Sequence, residues 1–500
     1  MLAEQRAYLD RYWEHADVHI DGDPEIQQAV RFAIFQVLQA GARAEGRAIP
    51  AKGLTGPGYD GHAFWDSESY VLPVLTYTLP TAAADALKWR HSILPQARER
   101  ARQLGLAGAA FPWRTIAGEE CSAYWPAGTA AFHVTADVAD AVARFQTVAG
   151  NDDYARRFST EVLVETARLW ASLGYFDAAG EFRIDGVTGP DEYSAVVDNN
   201  VYTNLMAKRN LEKAVAAVTA PGTDRSNWPD VTDDELEAWQ RAAKHMRVPY
   251  DERLRVHPQA DDFTSHAVWD FDDTTPEQYP LLLHFPYFDL YRKQVVKQAD
   301  LVLALYRAGH EFTDEQKQRD FEYYERLTVR DSSLSACVQA IMAAETGHLD
   351  FAYDYWGEAA LMDLDDLEHN TADGLHIASL AGAWLALVGG FGGLRDTTDK
   401  LAFRPQLPPG WKRLTFAVRP RGRLLRVEIV PGRVTYTLAG DEPLDVVHRT
   451  GRSEDVLTLK PGKPVSRKWR PVKPLTPRPD QPPGRPPHGL GEGTGSTGPG

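Results

Sequence analysis

The sequence predicts a mainly α-helical protein that ends in a small antiparallel β-sheet domain. Three observations predict it. Apolar residues recur at three- and four-residue spacing in about a dozen segments between residues 66 and 388, as helices with a buried face require. After Pro405 and Pro408 the period drops to two. A hydrophobic share of 43% with 25% charged residues is that of a chain with an ordinary packed core.

Residues 1–45 read as two helices, the first marked by Tyr8, Tyr12 and Trp13. The second carries Ile26, Val30, Ala33, Ile34, Val37 and Leu38 on one stripe. Further helices follow, among them one with Val162, Thr166, Leu169, Trp170 and Leu173 and another with Val302, Leu303 and Tyr306. The loops between them are long and carry Gly, Pro, Trp and Asp, the residue types of binding loops. Gly389–Gly393 follows a helix and not a strand, so it reads as a helix terminator and close-packing turn, not a nucleotide loop. Strands are expected around Leu414–Val418, Leu425–Ile429 and Val434–Leu438, with Pro431-Gly432 and Gly440 as turns. Residues 468–500 are Pro- and Gly-rich with little to bury and are expected to be disordered.

The formal net charge of −16 argues against nucleic acid and anionic membranes as partners. Only Cys121 and Cys337 occur, far apart, so a disulfide framework is not expected and a reducing, cytoplasmic compartment is. Cys121 reads as a small apolar residue, not a nucleophile. The first residues lack the basic-then-apolar pattern of a signal peptide, and no window nears the ~20 apolar residues of a membrane span. No metal-ligand spacing, P-loop or dinucleotide motif is present, so neither metal nor cofactor is expected.

The densest chemistry lies in Gly189-Pro190-Asp191-Glu192-Tyr193 and the Val197-Asp198-Asn199-Asn200 that follows. Gly-Pro cannot continue a helix, so Glu192 is placed on a constrained loop. A carboxylic acid beside an aromatic ring and several amides suits a general acid at a sugar site. Asp191 is its rival by position, and Asp198 is expected to cap the next helix. The bland alternative is a helix entry with a solvated Glu192.

These residues resemble the catalytic-acid segment of glycoside hydrolase family 65, the inverting α-glucoside phosphorylases. Other segments agree in order: Gly58–Glu68, Phe111-Pro112-Trp113 with Gly118–Cys121, Val296–Asp300, Arg330–Ser335 and Thr371–Ser379. The resemblance implies an (α/α)6 toroid with a C-terminal sheet domain. It divides the chain into a helical linker and start of the ring at 1–45, a catalytic ring at 46–400, a β domain at 401–467 and the tail at 468–500. It implies Glu192 as general acid, Trp65, Asp66, Lys297 and Gln298 as contacts to the glucosyl unit, and Ser332, Ser333 and His376 around phosphate. Inorganic phosphate would be a co-substrate, the partner an α-linked glucose disaccharide, and the assembly a homodimer or a complex with a separate β-sandwich subunit. That subunit enters because family members carry a large N-terminal β-sandwich, and this sequence resembles them only from the helical linker on. Trp113, Glu119 and Glu120 are expected at the same mouth. Ser194 and Arg330 stand where relatives commonly have histidine. Hydrolysis is the rival activity, with Asp331 and Asp373 near the loops that would supply a water-activating carboxylate. A catalytically silent sugar-binding remnant is the third reading.

Overall fold

Helix Pro24–Ala42 buries Ile26, Ala29, Val30, Ala33, Ile34, Val37 and Leu38, the stripe that its three- and four-residue spacing predicts. The stripe faces the last helix of the ring, Ile377–Leu385, every residue of which is buried. Burying a Val, Leu or Ile side chain is worth about 1.5–3 kcal/mol before its ordering entropy. This seam is where the first and last helices of the ring meet.

The computed structural model describes residues 2–22, 24–150, 153–220, 230–397, 400–451 and 453–488. Their helices form an (α/α)6 toroid in two layers. His133–Ala149 and Ser335–Thr346 are buried almost end to end. Amphipathic helices lie outside them. Asp233–Lys244 is one, burying only Leu236, Trp239, Ala242 and Ala243 behind a capping box of Thr232 and Glu235. Close helix approach depends on small residues: a Cβ on Gly382 would lie 2.6 Å from Cys337 Cβ. Where the layer must carry charge, it is paired. Buried Asp140 forms ion pairs with Arg144, Arg209 and Arg307, tying His133–Ala149 to Val201–Thr219 and Leu301–Arg307.

The helix Ile377–Leu385 widens into a π-turn at Ala386–Phe391 and the chain leaves at Gly393, whose φ of 64° suits glycine. The sheet domain differs from expectation in three respects. Its first strand, Leu394–Arg395, comes earlier than residue 401. It holds two sheets, and strand Leu444–Thr450 runs parallel to Leu401–Phe403 while every other pair in them is antiparallel. Its edge is His19–Asp21, a strand lying between the first two helices and paired with Arg413–Val418. Three residues are too few for periodicity to reveal.

The segment 472–488, expected to be disordered, lies along the ring instead. Val472 N donates to Gln406 and Leu475 N to Gln318, and Pro479, Pro482 and Pro487 are buried. Composition counts apolar content, whereas this segment is held by polar partners and by prolines that have little entropy to lose. The rest of the expected tail, 489–500, lies outside the described residues.

Candidate active site

Glu192 stands on an irregular loop, as Gly-Pro dictates, and the loop is pinned from beneath. Asp191, fully buried, accepts from Tyr193 N, Lys297 N (2.8 Å) and Gln259 Nε2 (2.9 Å). Its own N–H donates to Asp300 Oδ2. The rival acid is thus consumed in holding the loop and has no oxygen toward the cavity that Glu192 lines. Burial raises Asp191 to about 6 and Asp300 to about 8, with Asp191 adding to the latter. Asp198 does not cap the next helix. It accepts from Gly186 N, and Asn200 caps Val201–Thr219 by accepting from Thr203 N. Val196 and Asn199 take φ near 54° and 52°, a conformation costly for a β-branched residue.

All eight side chains named from the motifs line one cleft of about 610 Å³ of atom-free space: Trp65, Asp66, Glu192, Lys297, Gln298, Ser332, Ser333 and His376. Lys297 Nζ lies 2.8 Å from Glu192 Oε2. Burial works to lower the Lys297 ammonium, and the Glu192 carboxylate outweighs it and holds it above its ordinary value. Gln298 donates to Pro190 O, so only part of its amide remains for a ligand. Trp65 is buried with its ring edge-on to His133. Asp66, enclosed at the wall, is raised by burial to about 6. His376 Nδ1 is 2.7 Å from Asp363 Oδ1, and His376 N donates to Asp363 Oδ2. That carboxylate fixes the ring and leaves Nε2 as the nitrogen free to face a ligand.

The motifs missed Lys52, which lines the cleft at 4% exposure with its ammonium 5.9 Å from the Tyr59 ring. Burial lowers it, against the pull of Asp363, Asp373 and Asp66. Nothing in Ala51-Lys52-Gly53 marks a buried lysine. Asp363 was missed too, being recognisable only through its bond to His376. Trp113 lines the cleft as expected, but Glu119 and Glu120 do not. Glu120 instead accepts from the N–H groups of Trp113, Arg114 and Ser122 and shapes that loop. Among the described residues no group of His, Cys, Asp or Glu could hold a metal ion, and no helix is long and apolar enough to cross a membrane.

The helical ring is an (α/α)6 toroid that gathers a carboxyl-bearing loop, two lysines and hydroxyl donors in one cleft. The chain belongs to glycosyl hydrolase family 65. The family's central catalytic domain matches residues 31–385 and its C-terminal domain residues 394–453. A glycosyl hydrolase of uncharacterised activity from Mycobacterium leprae is 56% identical over 97% of the chain. An α,α-trehalose phosphorylase from Geobacillus stearothermophilus is 46% identical over 90% of it. The chain spans 61% and 62% of the length of these two relatives. A solved structure from the human microbiome, provisionally named a kojibiose phosphorylase, superposes with a TM-score of 0.85 at 30% identity, covering 92% of this chain and 64% of that one.

Proposed function

We propose that the protein catalyses inverting phosphorolysis of an α-linked glucose disaccharide, giving β-glucose 1-phosphate and a free sugar. The observation that carries this is the cleft's lining: one acid on a pinned loop, with Lys52, Ser332, Ser333 and His376 as donors for an anion. Neither expected water-activating carboxylate lines it. Asp331 is committed to Tyr193 Oη and Leu281 N, and Asp373 is exposed. Asp66 is the other carboxyl in the cleft, and it would be the base if water replaced phosphate.

In the proposed reaction a phosphate oxygen attacks C1 from the face opposite the leaving group, and the C1–O bond breaks. Glu192 gives its proton to the leaving oxygen, and the proton carried by dihydrogen phosphate restores Glu192. Asp66 and Lys297 hold the glucosyl hydroxyls with Trp65 as the apolar side. The donor set fixes phosphate in line, which is where positioning lowers the barrier. The compartment that suits the two free thiols, Cys121 and Cys337, is a reducing one, the cytoplasm.

Trehalose phosphorylases are more similar to this chain, at 46% and 43%, than maltose phosphorylase at 35%, so trehalose heads the assay panel. The test incubates trehalose, kojibiose, maltose and nigerose with and without phosphate and follows the anomeric phosphate by NMR. The chain is assayed alone and with a separately supplied family sandwich domain. Glu192→Gln should fold normally and lose about 10²–10⁴-fold in rate. Retained phosphorolysis by that variant, or turnover indifferent to phosphate, would sink the reading.

A further inference from the structure

Residues 478–488 lie outside both matched family domains, yet they close over the loop that leads into the cleft. Arg485 donates from Nε to Val329 O (2.8 Å) and from Nη2 to Arg330 O (3.2 Å) and Asp331 Oδ1 (3.1 Å). Its guanidinium sits 4.7 Å from the Tyr279 ring centre. Arg330, buried and at φ 57°, donates back to Arg485 O and Pro486 O, both at 2.9 Å. Gln481 donates to Tyr355 Oη, and His488 N to Glu358, the carboxylate that also pairs Arg330.

The loop so gripped is a junction. Val329 N donates to Val296 O, next to Lys297. Asp331 Oδ2 accepts from Tyr193 Oη at 2.6 Å, next to Glu192. Ser332 and Ser333 follow directly and line the cleft. One guanidinium therefore fixes two carbonyls and a fully buried carboxylate at the point where the acid loop, the lysine and the two serines are joined.

We propose that 478–488 is a strap and that Arg485 is a positioning residue, setting the serine loop for the anion without touching substrate. The kinetic half of this rests on the phosphorolysis reading; the structural half does not. A lysine could not replace it, since one ammonium cannot serve three acceptors in the plane of a fork.

The test compares Arg485→Ala and Arg485→Lys with Arg478→Ala, which loosens the strap at Phe351 and Asp354, away from the loop. Amide exchange across residues 328–335 should rise at least about tenfold in both Arg485 variants and stay unchanged in Arg478→Ala. The KM for phosphate should rise about tenfold in Arg485→Ala with kcat within about threefold, and added guanidinium ion at low concentration should restore it. A stability role alone predicts the reverse, because guanidinium would destabilise further. Exchange and phosphate KM equal across Arg485→Ala and Arg478→Ala would overturn the proposal. Should the unmutated chain show no phosphate-dependent turnover, the phosphorolysis reading fails and the exchange arm still decides the strap.

Discussion

Gly189→Ala isolates the link between loop geometry and catalysis. Gly189 does not lie in the left-handed region, so alanine adds no backbone strain there. What it adds is a Cβ 2.4 Å from both Asn200 Nδ2 and Asp300 Oδ2, where ordinary contact begins at 3.4 Å. Neither neighbour can yield. Asn200 Nδ2 donates to Gln259 O and to Asp300, and both side chains are buried. The loop must move by the missing distance, about 1 Å, and Glu192 sits three residues along it. A displacement of that size costs on the order of 10²-fold in rate, while overpacking costs about 1–3 kcal/mol of stability. Gly180→Ala is the opposite case and serves as the control: its φ of 83° strains alanine's backbone, but nothing lies within 4 Å. Initial rates of phosphate-dependent disaccharide cleavage and melting temperatures for the two variants decide the matter. A Gly189→Ala enzyme within threefold of the unmutated rate would refute the reasoning, because the pinned loop would then not be what places the acid.

Two further outcomes follow from the buried carboxyls. Asp300 is raised from 3.8 to about 8, so the cost of holding it ionised in the fold is absent below about pH 4 and grows through that window to its full size above about 8. Its share of stability therefore falls with rising pH by about 1.4 kcal/mol per unit, and Asp300→Asn should flatten the urea midpoint between pH 5 and 8 relative to the unmutated chain. An identical pH slope would count against it. Asp363→Asn should release the His376 ring and raise the KM for phosphate about tenfold while changing that for the disaccharide less; unchanged phosphate saturation would remove His376 from the anion site.

The parts of this protein that could be read from its sequence are those with a local cause. Gly-Pro forces Glu192 onto a loop, the stripe of Ile26–Leu38 forces a one-faced helix, and alternation from Leu414 to Leu438 forces strands. The motif residues are scattered from 65 to 376, and no local rule joins them; only their family resemblance grouped them before the fold did. What stayed hidden was non-local. The burial of Lys52 is a property of its surroundings, Asp363 matters through a histidine thirteen positions away, and Asn200 outcompeted Asp198 as a cap by standing one residue before the helix. The proline-rich segment was misjudged because low apolar content signals missing hydrophobic drive, whereas Arg485 and Gln481 answer to buried acceptors far away in sequence.

The edge strand His19–Asp21 and the seam of Pro24–Ala42 set a timetable for biosynthesis. Both leave the ribosome well before their partners, Arg413–Val418 and Ile377–Leu385. At roughly 5–20 residues per second the interval is on the order of 20–80 s. For that time the apolar stripe lacks the cover of Ile377–Leu385, and the two ends cannot collapse together, because the segment that would join them has not been made. Closure is therefore a late, long-range event, with the entropy of a very large loop to overcome. An apolar face left waiting in this way on a nascent chain is the kind of surface that chaperones shield.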